Sequence, residues 1–177
     1  MLFRSDVLLE AADILRREGA HFSLTLAGDG PQAGDLIDQA GKLGLNDWVK
    51  FPGFVPNNSL PALLSRHDLY IALSPTDGVS ASLLEAMAVG LFPIVPNHAA
   101  NRLWVEDRKN GWLLDDLSPS KVAAAVRGAA SDISLREYGW RTNANLVREQ
   151  ADLDRNCERY ADRFQQLSMA GQVNTWS

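Results

Sequence analysis

Apolar residues along the chain follow two spacings, one typical of helices and one typical of buried strands. Residues 5–18 are apolar at helical spacing, with Ser5 or Asp6 as the predicted N-cap and Gly19 as the stop. Short apolar or alternating runs predict five strands, at residues 21–27, 48–51, 68–73, 91–95 and 111–114. Helical segments are predicted at residues 31–43, 57–66, 82–89, 118–130, 134–150 and 152–167.

The alternation of strands and helices predicts an α/β, Rossmann-like fold: a parallel sheet with helices on both faces. We expect a single sheet of about five strands, with residues 68–73 in its interior. Pro93 makes the fourth strand less certain unless it lies at the start or the edge of that strand, because proline has no N–H to donate.

The stretch DLYIALSPTDGVSASLLEAMAVG, residues 68–90, combines a strand, a turn-rich loop and a helix. Pro75, Asp77 and Gly78 mark the loop, and strong helix formers follow from Ser82 onwards. Free N–H groups and the positive end of the helix dipole would face this loop. Since ligands of open α/β sheets bind beyond the carboxyl ends of the strands, this stretch is the predicted anion site.

Composition narrows the functional class. The 177 residues carry a net charge of −5, which disfavours a nucleic-acid partner, so any phosphate site must be built locally. Cys157 is the single cysteine, and the three histidines show no metal-ligand spacing, so neither a disulfide framework nor a metal site is predicted. No apolar run approaches the length of a membrane span and no signal pattern opens the chain. The first helix begins with no strand before it, which suggests a chain cut from a longer protein.

Four segments occur in an order that resembles a known family: LTLAGDGP, VKFPGFVP, the central stretch continued through GLFPIVP, and NGWLLD. Together they resemble the C-terminal, donor-binding domain of a GT-B fold glycosyltransferase of the retaining family 4 (glycosyl transferases group 1). The resemblance covers roughly residues 7–126. It implies a donor-binding domain at residues 1–150, a C-terminal helix and tail at residues 151–177, and an acceptor-binding N-terminal domain outside this chain.

The resemblance also implies roles for individual residues. Asp77 and Glu85 would be the family's acidic pair, Asp77 contacting hydroxyls of the donor sugar and Glu85 the ribose of the nucleotide. Asp77 departs from the usual glutamate, and Ser80 replaces a usual glycine. The remaining implied donor-binding residues are Val55 beside the base, Gly78, Val79 and Ser80 through backbone N–H groups, and Gly28 at the edge of the cleft. In the family, the basic residues that bind the diphosphate follow a strand that is missing here. Arg4 is the only basic residue near the corresponding place in this chain.

Simpler roles remain open for these residues. Ser82 to Glu85 fits a capping box, and Asp77 is a common turn residue. Gly28 fits a strand-to-helix turn, because the third glycine of a dinucleotide fingerprint is absent. His98 could reach the cleft or be an exposed loop residue.

As a whole, the resemblance implies an enzyme that transfers sugar from a nucleoside-diphosphate sugar to a glycan or glycolipid. It implies that the protein needs no cofactor and no metal. The location would be cytoplasmic, with any association with a membrane made through parts of the protein outside this chain. The isolated domain would transfer no sugar. The final helix, with Tyr160 and Phe164, is expected to be displaced onto another surface, such as that of a second copy, or to be partly exposed. Two alternatives stay open: a non-catalytic nucleotide-sugar binding module, and a GT-B fold nucleotide-sugar epimerase.

Overall fold

The computed structural model describes residues 4–74, 78 and 80–171. Strands and helices alternate along most of this length, and the C-terminal part is helical. The strands are β1 Leu24–Ala27, β2 Val49–Gly53, β3 Leu69–Ile71, β4 Phe92–Pro96 and β5 Trp112–Leu114. The helices are α1 Ser5–Arg17, α2 Ala33–Lys42, α3 Leu60–Leu64, α4 Ala81–Ala88, α5 Ala99–Arg102, α6 Pro119–Ser131, α7 Ile133–Gln150 and α8 Leu153–Gly171.

All strand pairs within the described residues are parallel, and they form two sheets. β1 pairs with β2, while β3, β4 and β5 form a second sheet in that order. The predicted parallel α/β architecture is therefore confirmed. The prediction of one continuous sheet with residues 68–73 in its interior is wrong, because β3 is an edge strand of the three-stranded sheet.

Helices cover both faces of the second sheet, as the alternation of its side chains shows. Phe92 and Ile94 of β4 belong to the larger core, which also contains the buried side chains of α1 and α6. Val95 of β4 belongs to a smaller core with Leu83 and Met87 of α4. Successive side chains of a strand point to opposite faces, so these two cores lie on opposite sides of the sheet.

Pro93 lies in the middle strand of the three-stranded sheet rather than at an edge. Phe92 N–H donates to Asp68 O and Ile94 O accepts from Ala72 N–H, so both neighbours of Pro93 face β3. Pro93 therefore faces the β5 side, where pairing begins only at Ile94. The missing N–H of the proline removes no ladder hydrogen bond at this position.

Several helix starts differ from the sequence expectation, among them those of α2 and α3, which begin at Ala33 and Leu60 rather than at residues 31 and 57. The N-cap of α1 is Arg4, in the left-handed conformation at φ 52°, and Ser5 is buried inside the helix. The N-cap of α4 is Ser80, and the helix begins at Ala81, before the predicted cap Ser82. Cap residues depend on how the chain enters from the preceding loop, which local sequence specifies weakly.

Most of the described side chains of α8 are exposed, Tyr160 to 67% and Phe164 to 72%. The expectation of an exposed final helix is confirmed. No helix among the described residues is long and apolar enough to cross a membrane.

Candidate active site

The carboxyl ends of β1, β2, β3 and β4 converge on one cleft of about 780 Å³. Each strand contributes the residues that directly follow it, as the Rossmann-like topology predicts. These residues are Gly28 after β1, Phe54 and Val55 after β2, Ser74, Gly78 and Ser80 after β3, and His98 and Asn101 after β4.

The start of α4 supplies the polar groups of the cleft. Ser80 is extended, at φ −74° and ψ 127°, and its side chain makes no capping hydrogen bond to the helix. Its hydroxyl lies 2.7 Å from that of Ser82, which lies 2.7 Å from the hydroxyl of Tyr70 on β3. Ser80, Ser82 and Tyr70 all line the cleft. A chain of three hydroxyls beside a helix N-terminus offers donors to an anion, because a hydroxyl can turn its hydrogen toward the ligand.

The structure brings four of the predicted donor-binding residues into this cleft: Gly28, Val55, Gly78 and Ser80. Gly28 has φ 140°, which favours glycine, and its N–H donates to Gly53 O at 2.9 Å. That bond fixes the turn after β1 against the turn after β2. The predicted residues Asp77 and Val79 lie outside the described residues.

Glu85 lies on an exposed part of α4 and is not among the residues that line the cleft. The capping-box role proposed for it is wrong, because the N-cap is Ser80 and Ser82 is already inside the helix. Within the described residues its carboxylate makes no hydrogen bond or ion pair. Both carboxylate oxygens are therefore available to an outside ligand.

His98 and Asn101 form a second polar group in the cleft, which the sequence indicated only through His98. His98 is half-buried and caps α5, its Nδ1 accepting from Asn101 N–H at 3.4 Å. The amide of Asn101 is buried and donates to Pro96 O at 2.9 Å. Asn101 thereby fixes both the loop after β4 and the imidazole; no sequence motif that we recognised pointed to it.

Arg4 is one of three arginines that line the cleft, with Arg66 and Arg136. It precedes α1 and lines the cleft together with Ser5. Arg136 also lines the cleft, but its guanidinium donates to the carbonyls of Ala129 and Ala130 at the end of α6. Across the described part of the chain, no cluster of three or more histidine, cysteine or acidic side chains could hold a metal ion.

A parallel α/β domain with a cleft at the carboxyl ends of its strands has the architecture that many nucleotide-binding proteins share. The family profile described as "Glycosyl transferases group 1" matches residues 4–145 of the chain. The chain therefore belongs to the group 1 glycosyltransferase family.

Individual relatives agree with this assignment. The putative colanic acid biosynthesis glycosyltransferase WcaL of Escherichia coli is 32% identical over 137 residues, which are 74% of this chain and 34% of the relative. The chain thus spans about a third of the length of the curated relatives that it matches.

Solved structures show the same fold. Anabaena Alr3699/HepE, in complex with UDP and glucose, superposes with a TM-score of 0.81 at 19% identity, covering 93% of this chain and 45% of the other. The C-terminal domain of the group 1 family protein LpcC from Francisella tularensis superposes with a TM-score of 0.72 at 22% identity, covering 84% and 80%. The expected fold, the C-terminal half of a GT-B glycosyltransferase, is confirmed.

Proposed function

We propose that this chain is the donor-binding part of a retaining glycosyltransferase and holds a nucleoside-diphosphate sugar in the cleft at the carboxyl ends of β1 to β4. The observation that carries the proposal is the convergence of Gly28, Val55, Gly78 and Ser80 on that cleft, beside the N-terminus of α4. These residues follow three different strands, so their meeting depends on the whole fold. The solved HepE structure, 45% of which this chain matches, is a complex with UDP and glucose.

The diphosphate would rest on the start of α4. The helix dipole, the first N–H groups of the helix and the hydroxyls of Ser80 and Ser82 all favour negative charge at this point. Charge grows on the diphosphate as the bond to the sugar breaks. Donors held in place before the reaction stabilise that charge most, because they need no reorganisation at the transition state.

The two acidic residues would hold opposite ends of the donor. Glu85 would accept hydrogen bonds from the ribose hydroxyls, and its exposed carboxylate has both oxygens available. Asp77 would contact the transferred sugar. Neither role needs a metal or a cofactor, and the acceptor would be bound by polypeptide outside this chain, in the cytoplasm or at the surface of a membrane.

Isothermal calorimetry with UDP, GDP and ADP and their glucose or mannose conjugates tests the proposal. We expect one nucleoside diphosphate to bind in the cleft, and Glu85→Gln to weaken it by roughly tenfold or more, since one charge-assisted hydrogen bond contributes about 1.5–3 kcal/mol. Glu10→Gln, at an exposed position of α1, is the matched control and should bind as the unmodified chain does. Absence of binding by all of these nucleotides would overturn the proposal.

Measurement of transfer distinguishes the alternatives. The chain alone should transfer no sugar, whereas the protein including an acceptor-binding domain should release nucleoside diphosphate and glycosylate an acceptor. Binding without transfer in that longer protein would identify a non-catalytic module. Conversion of the bound sugar to its epimer, without release to an acceptor, would identify an epimerase.

A further inference from the structure

The side chains of β3 alternate between the two cores, and Tyr70 lies on the side that α4 covers. Leu69 and Ile71 pack against the larger core, whereas Tyr70 packs against the smaller core, which contains Leu83 of α4. This alternation is the usual one for a strand. The ring of Tyr70 is therefore held by packing on a strand, and its hydroxyl reaches Ser82 at the start of α4.

The hydroxyls of Tyr70, Ser82 and Ser80 form a chain that carries three hydrogens and makes two contacts, so one hydrogen remains for an acceptor outside it. Both O···O distances are 2.7 Å, the usual length of a hydrogen bond between hydroxyls. A hydroxyl has one hydrogen and two lone pairs. Ser82, which lies between the other two, can therefore donate to only one of them. The direction of the hydroxyl chain decides which residue keeps the remaining hydrogen.

The acidity of the phenol favours one direction. A phenolic hydroxyl is a stronger hydrogen donor than an aliphatic one, because the negative charge of its conjugate base spreads over the ring. Tyr70 then donates to Ser82, Ser82 donates to Ser80, and the remaining hydrogen is on Ser80. Hydrogen bonds in such a chain polarise one another, so each donation strengthens the next.

Ser80 is placed to give that hydrogen to a ligand. It is the N-cap of α4, yet its side chain makes no capping bond to the helix, so its oxygen can accept from Ser82. Ser80 also lines the cleft. The hydrogen of its hydroxyl and the first N–H groups of α4 can therefore act on the same anion.

We propose that Tyr70 is a positioning residue of the anion site: its phenol donates through Ser82 to Ser80 and thereby directs the hydrogen of Ser80 to a phosphate oxygen of the donor. This inference rests on the proposed function, because it needs the diphosphate at the start of α4. A polarised donor gains most from a charged acceptor. The contribution of Tyr70 is therefore greatest when charge grows on the diphosphate as the bond to the sugar breaks.

Calorimetry on the whole chain is the first test, with UDP, GDP and ADP and the corresponding nucleosides as probes. For the diphosphate that binds, we expect Tyr70→Phe to lower the affinity by roughly three- to tenfold, the effect of one neutral hydrogen bond, and to leave the affinity for its nucleoside unchanged. Tyr138→Phe, exposed on α7, is the matched control and should bind as the unmodified chain does. Equal weakening of nucleoside and diphosphate would overturn the proposal, because it would show a general effect on the cleft.

The double variant Tyr70→Phe/Ser82→Ala tests whether Tyr70 acts through Ser82. We expect it to bind the diphosphate as Ser82→Ala alone does, because the phenol has lost the residue that it directs. Losses of affinity that multiply would overturn the proposal and assign Tyr70 a direct contact with the donor, since its side chain also lines the cleft. If the unmodified chain binds none of the nucleotides, the proposed function fails and the role of Tyr70 with it. If Ser82→Ala weakens binding and Tyr70→Phe does not, only the role of Tyr70 is overturned.

The direction of the hydroxyl chain is tested by changing the acidity of the phenol with little change of its shape. Tyr70 is replaced by 3-fluorotyrosine and by 3,5-difluorotyrosine, whose phenols are progressively more acidic, and binding is measured at a pH at which each phenol stays protonated. A phenol that donates to Ser82 becomes a stronger donor, so we expect the affinity for the diphosphate to rise with fluorination. A role limited to packing would leave the affinity unchanged, and a chain that runs from Ser80 to Tyr70 would lower it. Either result would overturn the proposal.

Discussion

The imidazole of His67 lies 3.0 Å, at Nε2, from the hydroxyl of Thr25, and this contact joins the two sheets of the fold. Thr25 lies in the middle of β1, and His67 lies between α3 and β3. The other ring nitrogen, Nδ1, lies 3.0 Å from Leu63 O, so the imidazole is held to α3 as it reaches across the cavity.

Replacing Thr25 by valine removes the hydroxyl and keeps the shape of the side chain. We expect the free energy of unfolding to fall by about 1 kcal/mol, the net contribution of one hydrogen bond. Thr25→Ser keeps the hydroxyl and is the control; it should be more stable than Thr25→Val in urea denaturation. If the valine variant equals the unmodified chain, the contact adds nothing to stability.

Asn143 of α7 is fully buried and connects three segments. Its amide nitrogen donates to Leu91 O at 3.0 Å and to Asn110 O at 2.9 Å, and its oxygen accepts from the amide of Asn110 at 2.9 Å. Asn143→Ala leaves buried polar groups without these partners, at a cost of about 1–3 kcal/mol for each. We expect a fall of at least about 2 kcal/mol in urea denaturation. Asn145→Ala, exposed on the same helix, should change stability by less than about 0.5 kcal/mol.

Gly90 makes room for Trp140 after α4. A Cβ atom at Gly90 would lie 1.6 Å from Cδ1 of Trp140, and the backbone has φ 93°. We expect Gly90→Ala to lower the free energy of unfolding by about 1–2 kcal/mol from backbone strain alone, with a change in tryptophan fluorescence as the ring moves. Gly34→Ala, in α2 with nothing within 4 Å, should instead raise stability by about 0.5–1 kcal/mol. Equal stability of the two variants would show that neither the backbone at Gly90 nor the ring of Trp140 opposes the added Cβ atom.

Ser82 lies at the centre of the hydroxyl chain at the start of α4. Ser82→Ala removes a donor and leaves the helix intact, because Ser80 is the N-cap. On the proposed function, we expect binding of the nucleoside diphosphate to weaken by roughly tenfold or more with an unchanged thermal midpoint. Ser131→Ala, whose hydroxyl donates within α6, is the control. Unchanged affinity in calorimetry would exclude the hydroxyl from the anion site.

Among the described side chains of α8, Phe164 is one of two large apolar ones that are exposed. If the isolated chain pairs through this helix, Phe164→Ser should weaken self-association by roughly tenfold, since burying an aromatic side chain contributes about 1.5–3 kcal/mol. Glu158→Ser, exposed on the same helix, should leave association unchanged. Light scattering over a concentration series measures both. A strict monomer at all concentrations would show that α8 does not pair two copies.

The sequence by itself determined the order of the five strands and of all the helices except α5, at Ala99–Arg102, which was not predicted. All five predicted strands occur, because an apolar run bounded by glycine, proline or asparagine is a local signal. The resemblance of the sequence to the family implied that Gly28, Val55, Gly78 and Ser80 would bind the donor, and the structure brings them to one cleft. Parallel strands bring the residues that follow them to one edge, which is the physical reason that these loops converge.

Only the tertiary structure decided how the strands pair. The separation of β1–β2 from β3–β4–β5 depends on which backbone groups find partners across long sequence distances, and no local pattern encodes that. The same holds for Asn101 and Asn143, whose burial comes from elements that meet in three dimensions. The exposure of Glu85 was decided by the packing of α4, which buries the face that carries Leu83 and Met87.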